Sequence, residues 1–349
     1  MLDRIAQEIG AAGGWISFAR YMDLALHEPG AGYYAGGARK FGRAGDFVTA
    51  PELGRLFART LARQLVDLQV RHVLEFGAGT GALAEALLDE HPFEYSILEV
   101  SAELRQRQAA RLGKRARFLE ELPLRIEGVV LANEVLDAMP VHAVAWRDDG
   151  IRERGVAINE GRLAWEERPA HGSLLVEAEK IQVPAPYESE IGLAGRAWMR
   201  TLGERIDRGV ILLIDYGFPR HEYYHPQRVM GTIMCHHQHR AHGDPFAHPG
   251  AQDITAHVDF SALAEAARGA GLQVLGYATQ AQFLVNCGIT EVLAEVNMEN
   301  ALHYAPIAAQ AQKLLSPAEM GELFKVLAVG RGVKQPLLGF SRADRSPTL

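Results

Sequence analysis

The chain has 349 residues, with 36 Lys+Arg against 43 Asp+Glu and a formal net charge of −7. That length buries a full apolar core without disulfide or metal staples, and the acidic balance gives no overall electrostatic pull toward nucleic acid or an anionic membrane. The two cysteines, Cys235 and Cys287, form no C-x-x-C pair, which argues against a disulfide framework or a zinc ribbon.

The opening MLDRIAQEIGAAGGW carries Asp3 and Glu8 and lacks the apolar run of a signal peptide. No later stretch reaches the ~18 uninterrupted apolar residues of a membrane span, so a soluble, cytoplasmic protein is expected. Residues 15–27 read as a helix capped by Ser17, with Phe18, Tyr21, Met22 and Ala25 on its core face. The next 25 residues, EPGAGYYAGGARKFGRAGDFVTAPE, are too glycine-rich for a regular element. With Tyr33, Tyr34, Phe41 and Phe47 they are also too aromatic for a disordered linker, so they predict an ordered loop covering something. Thr49, Pro51 and Glu52 make a capping-box signature for a helix over 50–68.

From residue 71 short apolar runs alternate with helical patterns. RHVLEFG, EYSILEV, RARFLE, GVVLANE and GVILLIDYG read as strands, with helices over 80–90 and 101–112 between the first three. Such alternation predicts a parallel sheet covered on both faces by helices. Residues 141–170 alternate polar and apolar and carry the turn pairs Asp149-Gly150 and Glu160-Gly161, as an inserted antiparallel meander would. A His- and Pro-rich loop runs to about 256, followed by a helix near 260–270, the strand LQVLGYAT, a long Ala/Leu-rich helical stretch and a last strand, LFKVLAVG.

The chemistry concentrates at two strand ends. HVLEFGAGTGALAEAL is strand, glycine turn and helix, a unit that points backbone N–H groups at a nucleotide-bearing ligand. Gly77, Gly79 and Ala82 satisfy the dinucleotide G-x-G-x-x-G/A pattern, but Gly81 adds a glycine that this pattern does not need. E-x-G-x-G-x-G, with Glu75 as the acid, is the usual first motif of class I methyltransferases, which the segment resembles. Glu99, 22 residues after Gly77, suits either reading, because it would accept hydrogen bonds from two ribose hydroxyls. VVLANEVLDAMPVH then delivers Asn133, Glu134 and Asp137 at the carboxyl end of a buried strand, the edge where open α/β sheets bind ligands. The Asn/Asp-Pro-Pro-Tyr turn of methylases acting on adenine or glutamine amides is absent there.

Together with YMDLALHEPGAGYY, GDFVTAPELGRLF, LEVSAELRQRQ, LIDYG, DITAHVDFSAL and TQAQFLVNCGI, these blocks resemble the MidA family of class I methyltransferases through nearly the whole chain. The mitochondrial members of that family methylate an arginine on a respiratory complex I subunit and serve as assembly factors; the resemblance is that of a bacterial relative. It implies a Rossmann-like α/β fold with a mostly parallel seven-stranded sheet, helices on both faces, an N-terminal helical cap and antiparallel insertions. The implied layout is a cap and glycine-rich lid over 1–65 and a methyltransferase core over 66–349, with insertions at about 141–190, 218–258 and 281–318. It implies S-adenosylmethionine as cofactor and an arginine of a protein as acceptor, the alternatives being a methyltransferase with a small-molecule acceptor or a non-catalytic assembly factor that binds the cofactor; charge and hydropathy speak against a nucleic-acid partner and membrane insertion. Glu75, Gly77, Gly79, Gly81, Glu99, Asn133 and Asp46 are assigned to the cofactor. Glu134 and Asp137 are assigned to the acceptor, because a guanidinium pairs with carboxylates in planar, bidentate geometry. Asp46 and Glu52 are acids of the N-terminal segment able to close on the site, and Asp215 and Tyr216 are expected near the acceptor.

Of the histidines at 236, 237, 239, 242, 248 and 257, none makes a His-x-x-x-His or His-Glu-x-x-His spacing, so no metal site is expected. His257, or else His239, is the candidate proton acceptor if its pKa stays near ~6.5.

Overall fold

A computed structural model describes residues 1–36, 49–297, 299–334 and 336–349. Its central sheet contains β1 (His72–Phe76), β2 (Glu94–Leu98), β3 (Ala116–Leu119), β4 (Ile126–Asn133), β5 (Ile206–Phe218), β6 (Gln273–Thr279) and β7 (Phe324–Arg331). The spatial order is β6-β7-β5-β4-β1-β2-β3. Neighbours from β5 to β3 run parallel, while β7 runs antiparallel to both β5 and β6. The two-residue strand Val258–Asp259 adds an eighth member alongside the end of β5. With β7 as the single antiparallel member, the sheet is mostly parallel, as expected, but eight-stranded rather than seven-stranded; a two-residue strand leaves no periodic signal in the sequence.

The apolar runs follow from burial on both faces. Along β5, Val210, Leu212 and Ile214 pack with Phe57 and Leu61 of the helix Arg55–Asp67. Ile211 and Leu213 face the other way, toward Phe260 and Leu263 of the helix Phe260–Gly269. The chain winds outward in one direction through β1, β2 and β3 and in the other from β4, so β1 and β4 flank the switch point, and a crevice opens at their carboxyl ends.

From the end of β4 the chain passes into a second sheet. Its strands Gly150–Asn159, His142–Arg147 and Tyr187–Ile191 lie side by side, Arg162–Pro169 folds back through the predicted Glu160-Gly161 turn, and Trp15–Ser17 adds from the N-terminus. The helices Leu2–Ala11 and Phe18–His27 share an apolar core with this sheet and with Cys235 and Ile254.

Several local expectations change. Residues 15–17 form a strand, not helix, although Ser17 does cap the helix that follows, accepting from the Arg20 N–H at 3.2 Å. The helix expected over 50–68 breaks at Gly54, whose φ of +147° interrupts it between Ala50–Leu53 and Arg55–Asp67. Thr49 makes no side-chain cap there, because Glu52, the other half of the capping box, instead accepts from the Thr80 hydroxyl. The His-rich loop contains a small sheet of Met234–His237, Arg240–His242 and Asp253–Thr255. The late helical stretch divides into Gln280–Asn286, Ile289–Ala294 and Ala301–Leu315, with Gly288 at φ +81° ending the first. Among the described residues no helix is long and apolar enough to cross a membrane.

Candidate active site

A cavity of about 600 Å³ occupies the crevice at the carboxyl ends of β1, β2, β4 and β5. On one side β1 runs into Gly77, Gly79 and Gly81, with φ of +59°, +53° and +79°. A Cβ at Gly77 would stand 3.0 Å from Val135 Cγ2, so the turn needs glycine for space as well as for backbone angle. The helix Ala82–Glu90 starts on Gly81 without a side-chain cap, which leaves the donors of its first turn for a ligand.

Glu99, at the end of β2, is 5% exposed and accepts from the Ser101 N–H at 2.9 Å and Gln108 Nε2 at 3.0 Å. Gln108 also donates to the Gly79 carbonyl at 2.9 Å, so one amide fixes the acid relative to the turn. Glu75 accepts from the Tyr95 hydroxyl at 2.9 Å, and burial, with Glu99 adding to it, pushes its carboxyl up to about 8. Asn133 closes this side; its Nδ2 donates to Glu134 Oε1 at 3.0 Å, while its buried Oδ1 has no hydrogen-bond partner among the described residues. Gly77, Gly79, Glu75, Glu99 and Asn133, all assigned to the cofactor from the sequence, thus line one cavity. Gly81 is not among its lining residues, but starts the helix behind the turn. Val100 lines the cavity at 79% exposure and was not predicted.

The other side carries the acids. Glu134 sits at φ +54°, a left-handed conformation that costs a non-glycine residue roughly 1–3 kcal/mol. Its own N–H donates to the Ile214 carbonyl at 2.9 Å, and the Asp215 carboxylate accepts from the N–H groups of Val135 (3.2 Å), Leu136 (2.9 Å) and Asp137 (3.3 Å). Asp215 thus turns away from the cavity to hold the segment, whereas Tyr216 lines it and donates its hydroxyl to Asp137. Burial and the neighbouring Asp137 push the Glu134 carboxyl up to about 8, and burial pushes Asp137 up to about 6. The Ala50 N–H meets the Glu134 carboxyl, and the Tyr34 hydroxyl donates to Asp253 Oδ1 at 2.9 Å.

His257 lines the same cavity, its ring 5.3 Å from that of Tyr216 and 5.2 Å from that of Phe218. Burial, Arg228 and Lys325 pull it down to about 4, which corrects the expectation of a pKa near the free value: it is a neutral imidazole whose buried Nδ1 has no partner among the described residues. His239 stands at φ +61° in the exposed turn between Met234–His237 and Arg240–His242, outside the cavity. His237 and His248 stack at 4.3 Å, and no metal-holding group occurs among the described residues. Asp46 lies outside the described residues. His27, Tyr34, Asp253 and Arg228 were missed; they join the cavity only through the packing of the N-terminal helix and the 218–258 insertion, which no local spacing encodes.

Glycine turn, buried ribose-type acid and unpartnered amide oxygen at the switch point fit an adenosyl cofactor, and fold and site together define an S-adenosylmethionine-dependent methyltransferase. Residues 53–278 match the model of a family of S-adenosyl-L-methionine-dependent methyltransferases, and the chain belongs to that family. It is 30% identical to the mitochondrial protein arginine methyltransferase NDUFAF7 homolog of Drosophila melanogaster, over 94% of this chain and 86% of that protein. The NDUFAF7 of Danio rerio is 29% identical over the same shares. A protein of Burkholderia thailandensis, solved with S-adenosyl-homocysteine bound, is 51% identical and superposes with a TM-score of 0.95, covering 99% of this chain and 96% of that one. The cofactor is S-adenosylmethionine.

Proposed function

We propose that this chain methylates an arginine side chain of a protein acceptor. The observation that carries this reading is the pair Glu134 and Asp137, two carboxyls placed by one strained turn directly after Asn133 and lining the same cavity as the cofactor residues. The curated relatives named above as protein arginine methyltransferases support it.

When bound, S-adenosylmethionine supplies a methyl group activated on a sulfonium. The amides of the Gly77–Gly81 turn, Glu99 toward the ribose and Asn133 Oδ1 are the groups that would hold it. Glu134 and Asp137 face the acceptor. A guanidinium entering between them would favour their charged forms and be held by them with one nitrogen toward the methyl group. It would give them the proton released as its new N–C bond forms and the methyl's bond to sulfur breaks, the bonding pair staying on sulfur. Tyr216 keeps Asp137 oriented, and His257, neutral, adds no competing charge. In this reading residues 1–65 and the insertions at 141–190 and 218–258 form a cap over the acceptor side of a 66–349 core, with the 281–318 insertion behind it.

The test is transfer of a tritiated methyl group from S-adenosylmethionine to protein in a lysate, followed by acid hydrolysis and chromatography. Label in methylarginine, lost in Glu134→Gln, supports the proposal; label in a small metabolite or in another amino acid overturns it.

A further inference from the structure

Two features of the cavity mouth go unused by methyl transfer itself. Met234 and Leu323 line the cavity yet are each 40% exposed, and Met230, at 82%, and Val229, at 45%, stand on the same 228–234 segment. Large apolar side chains left open together at a cavity rim mark surface that a partner covers. Beside them Arg228 lines the cavity with its guanidinium carbon 4.1 Å from the Phe218 ring centroid, donating to the carbonyls of Glu222 and Tyr223. Behind the lining, Lys325 is 3% exposed; its Nζ lies 5.3 Å from the same centroid and donates to the carbonyls of Glu322 and Leu323. Among the described residues, carbonyls and an aromatic face hold both cations, and neither forms an ion pair with a carboxylate.

The mouth therefore has an acidic floor suited to one cation, a positive wall and an apolar rim. We propose that the acceptor is a protein segment with a single arginine set among apolar residues, and that Arg228, backed by the buried Lys325, rejects segments with a second basic residue beside it. The proposal rests on the arginine-acceptor reading and adds the sequence context. Met230, Met234 and Leu323 take the apolar flanks out of water, and a neighbouring lysine would meet like charge on the wall.

Fluorescent peptides with one central arginine, flanked by leucine and valine, by glycine and serine, or by lysine, would be titrated into protein saturated with S-adenosylhomocysteine. Methyl transfer to the same peptides would be measured in parallel. The apolar-flanked peptide should bind about tenfold tighter than the glycine-serine peptide, the value expected from one large apolar side chain buried, and the lysine-flanked peptide should bind weakest. Met230→Ser, at a residue exposed enough to leave the fold intact, should reduce the apolar preference several-fold, and Arg228→Gln should narrow the discrimination against lysine. Equal or tighter binding of the lysine peptide, absence of any peptide binding, or rim-dependent self-association in place of flank preference would each overturn the proposal. Flank-selective binding without methylation would leave the docking surface standing and remove arginine as the acceptor; methylation without flank preference would do the reverse.

Discussion

The two sides of the cavity are built in opposite ways. The cofactor side comes almost entirely from one continuous strand–turn–helix–strand–helix unit, ending in Gln108, whose amide ties Glu99 to the glycine turn. The side proposed to receive the acceptor is assembled from His27, Tyr34, the 134–137 turn, Tyr216, Asp253, His257 and Phe324, drawn from nearly the whole chain. A ligand shared by many enzymes can be held by local backbone geometry, whereas the particular acceptor is read by surfaces that insertions bring together. Variants on each side should therefore separate cofactor binding from turnover.

The largest effect is expected at the turn. Gly79 has φ +53°, where a β-branched side chain is strained whatever space it meets. Gly79→Val should abolish binding of S-adenosylmethionine in a calorimetric titration while leaving the far-UV circular dichroism unchanged; retained affinity would show that the turn is not the cofactor cradle. On the acceptor side, Glu134→Gln should lower turnover by roughly 100-fold or more and leave S-adenosylhomocysteine affinity within about twofold. A comparable loss of cofactor affinity would break the division between the two sides.

The same division predicts a pH dependence confined to the acceptor. Glu134, raised to about 8, and Asp137, raised to about 6, are neutral below those values and pair with a guanidinium only above them. Thus kcat/KM for an arginine acceptor should climb as pH rises from about 6 to about 8 and then level, and Glu134→Gln should lose the upper part of the climb. The sign for stability is the reverse. A carboxyl whose folded pKa is raised contributes stability that is full below its unfolded pKa and is lost as pH rises through the folded value. The acceptor-free protein should accordingly melt at a lower temperature near pH 9 than near pH 6, with Glu75, also near 8, adding to the trend. A smaller effect follows at Asp215, which touches the turn and not the cavity. Asp215→Asn replaces a carboxyl group that serves four backbone donors, three of them in the 135–137 turn, so kcat should fall about tenfold with cofactor affinity unchanged. A drop in melting temperature without any change in kcat would reduce Asp215 to a structural role.

Sequence reading went furthest where the chemistry is local. Gly77, Gly79 and Glu99 announce themselves by spacing, and Asn133, Glu134 and Asp137 by polar side chains ending an apolar strand. The positive φ of Glu134 and the Asp215 carboxylate that holds its turn could not be read there, because the donor and acceptor lie 78 to 80 residues apart. The capping box at Thr49 shows a local signal overridden from outside: Glu52 fits a box on spacing alone, but Thr80 offers it a hydroxyl and the helix gives way at Gly54. His257 shows the same for electrostatics, since nothing in HVDF foretells that burial, Arg228 and Lys325 would empty it of charge.

That contact at Glu52 is also where the two sides touch, and it carries the smallest and most discriminating effect. Thr80 donates its hydroxyl to Glu52 and accepts from Arg111 Nη1 at 2.9 Å, so Glu52 belongs to the glycine turn's support. Two residues earlier on the same short helix, the Ala50 N–H meets the Glu134 carboxyl. One turn of helix therefore bears on both ligands. Weakening a charge-assisted hydrogen bond to a neutral one costs about 1 kcal/mol, so Glu52→Gln should loosen S-adenosylhomocysteine by about threefold to tenfold. If the helix couples the sides, the acceptor KM should rise in the same variant, although Glu52 makes no hydrogen bond to Glu134. A shift in cofactor affinity with the acceptor KM unmoved would make the two halves of the cavity independent, and the N-terminal helix a support for the cofactor turn alone.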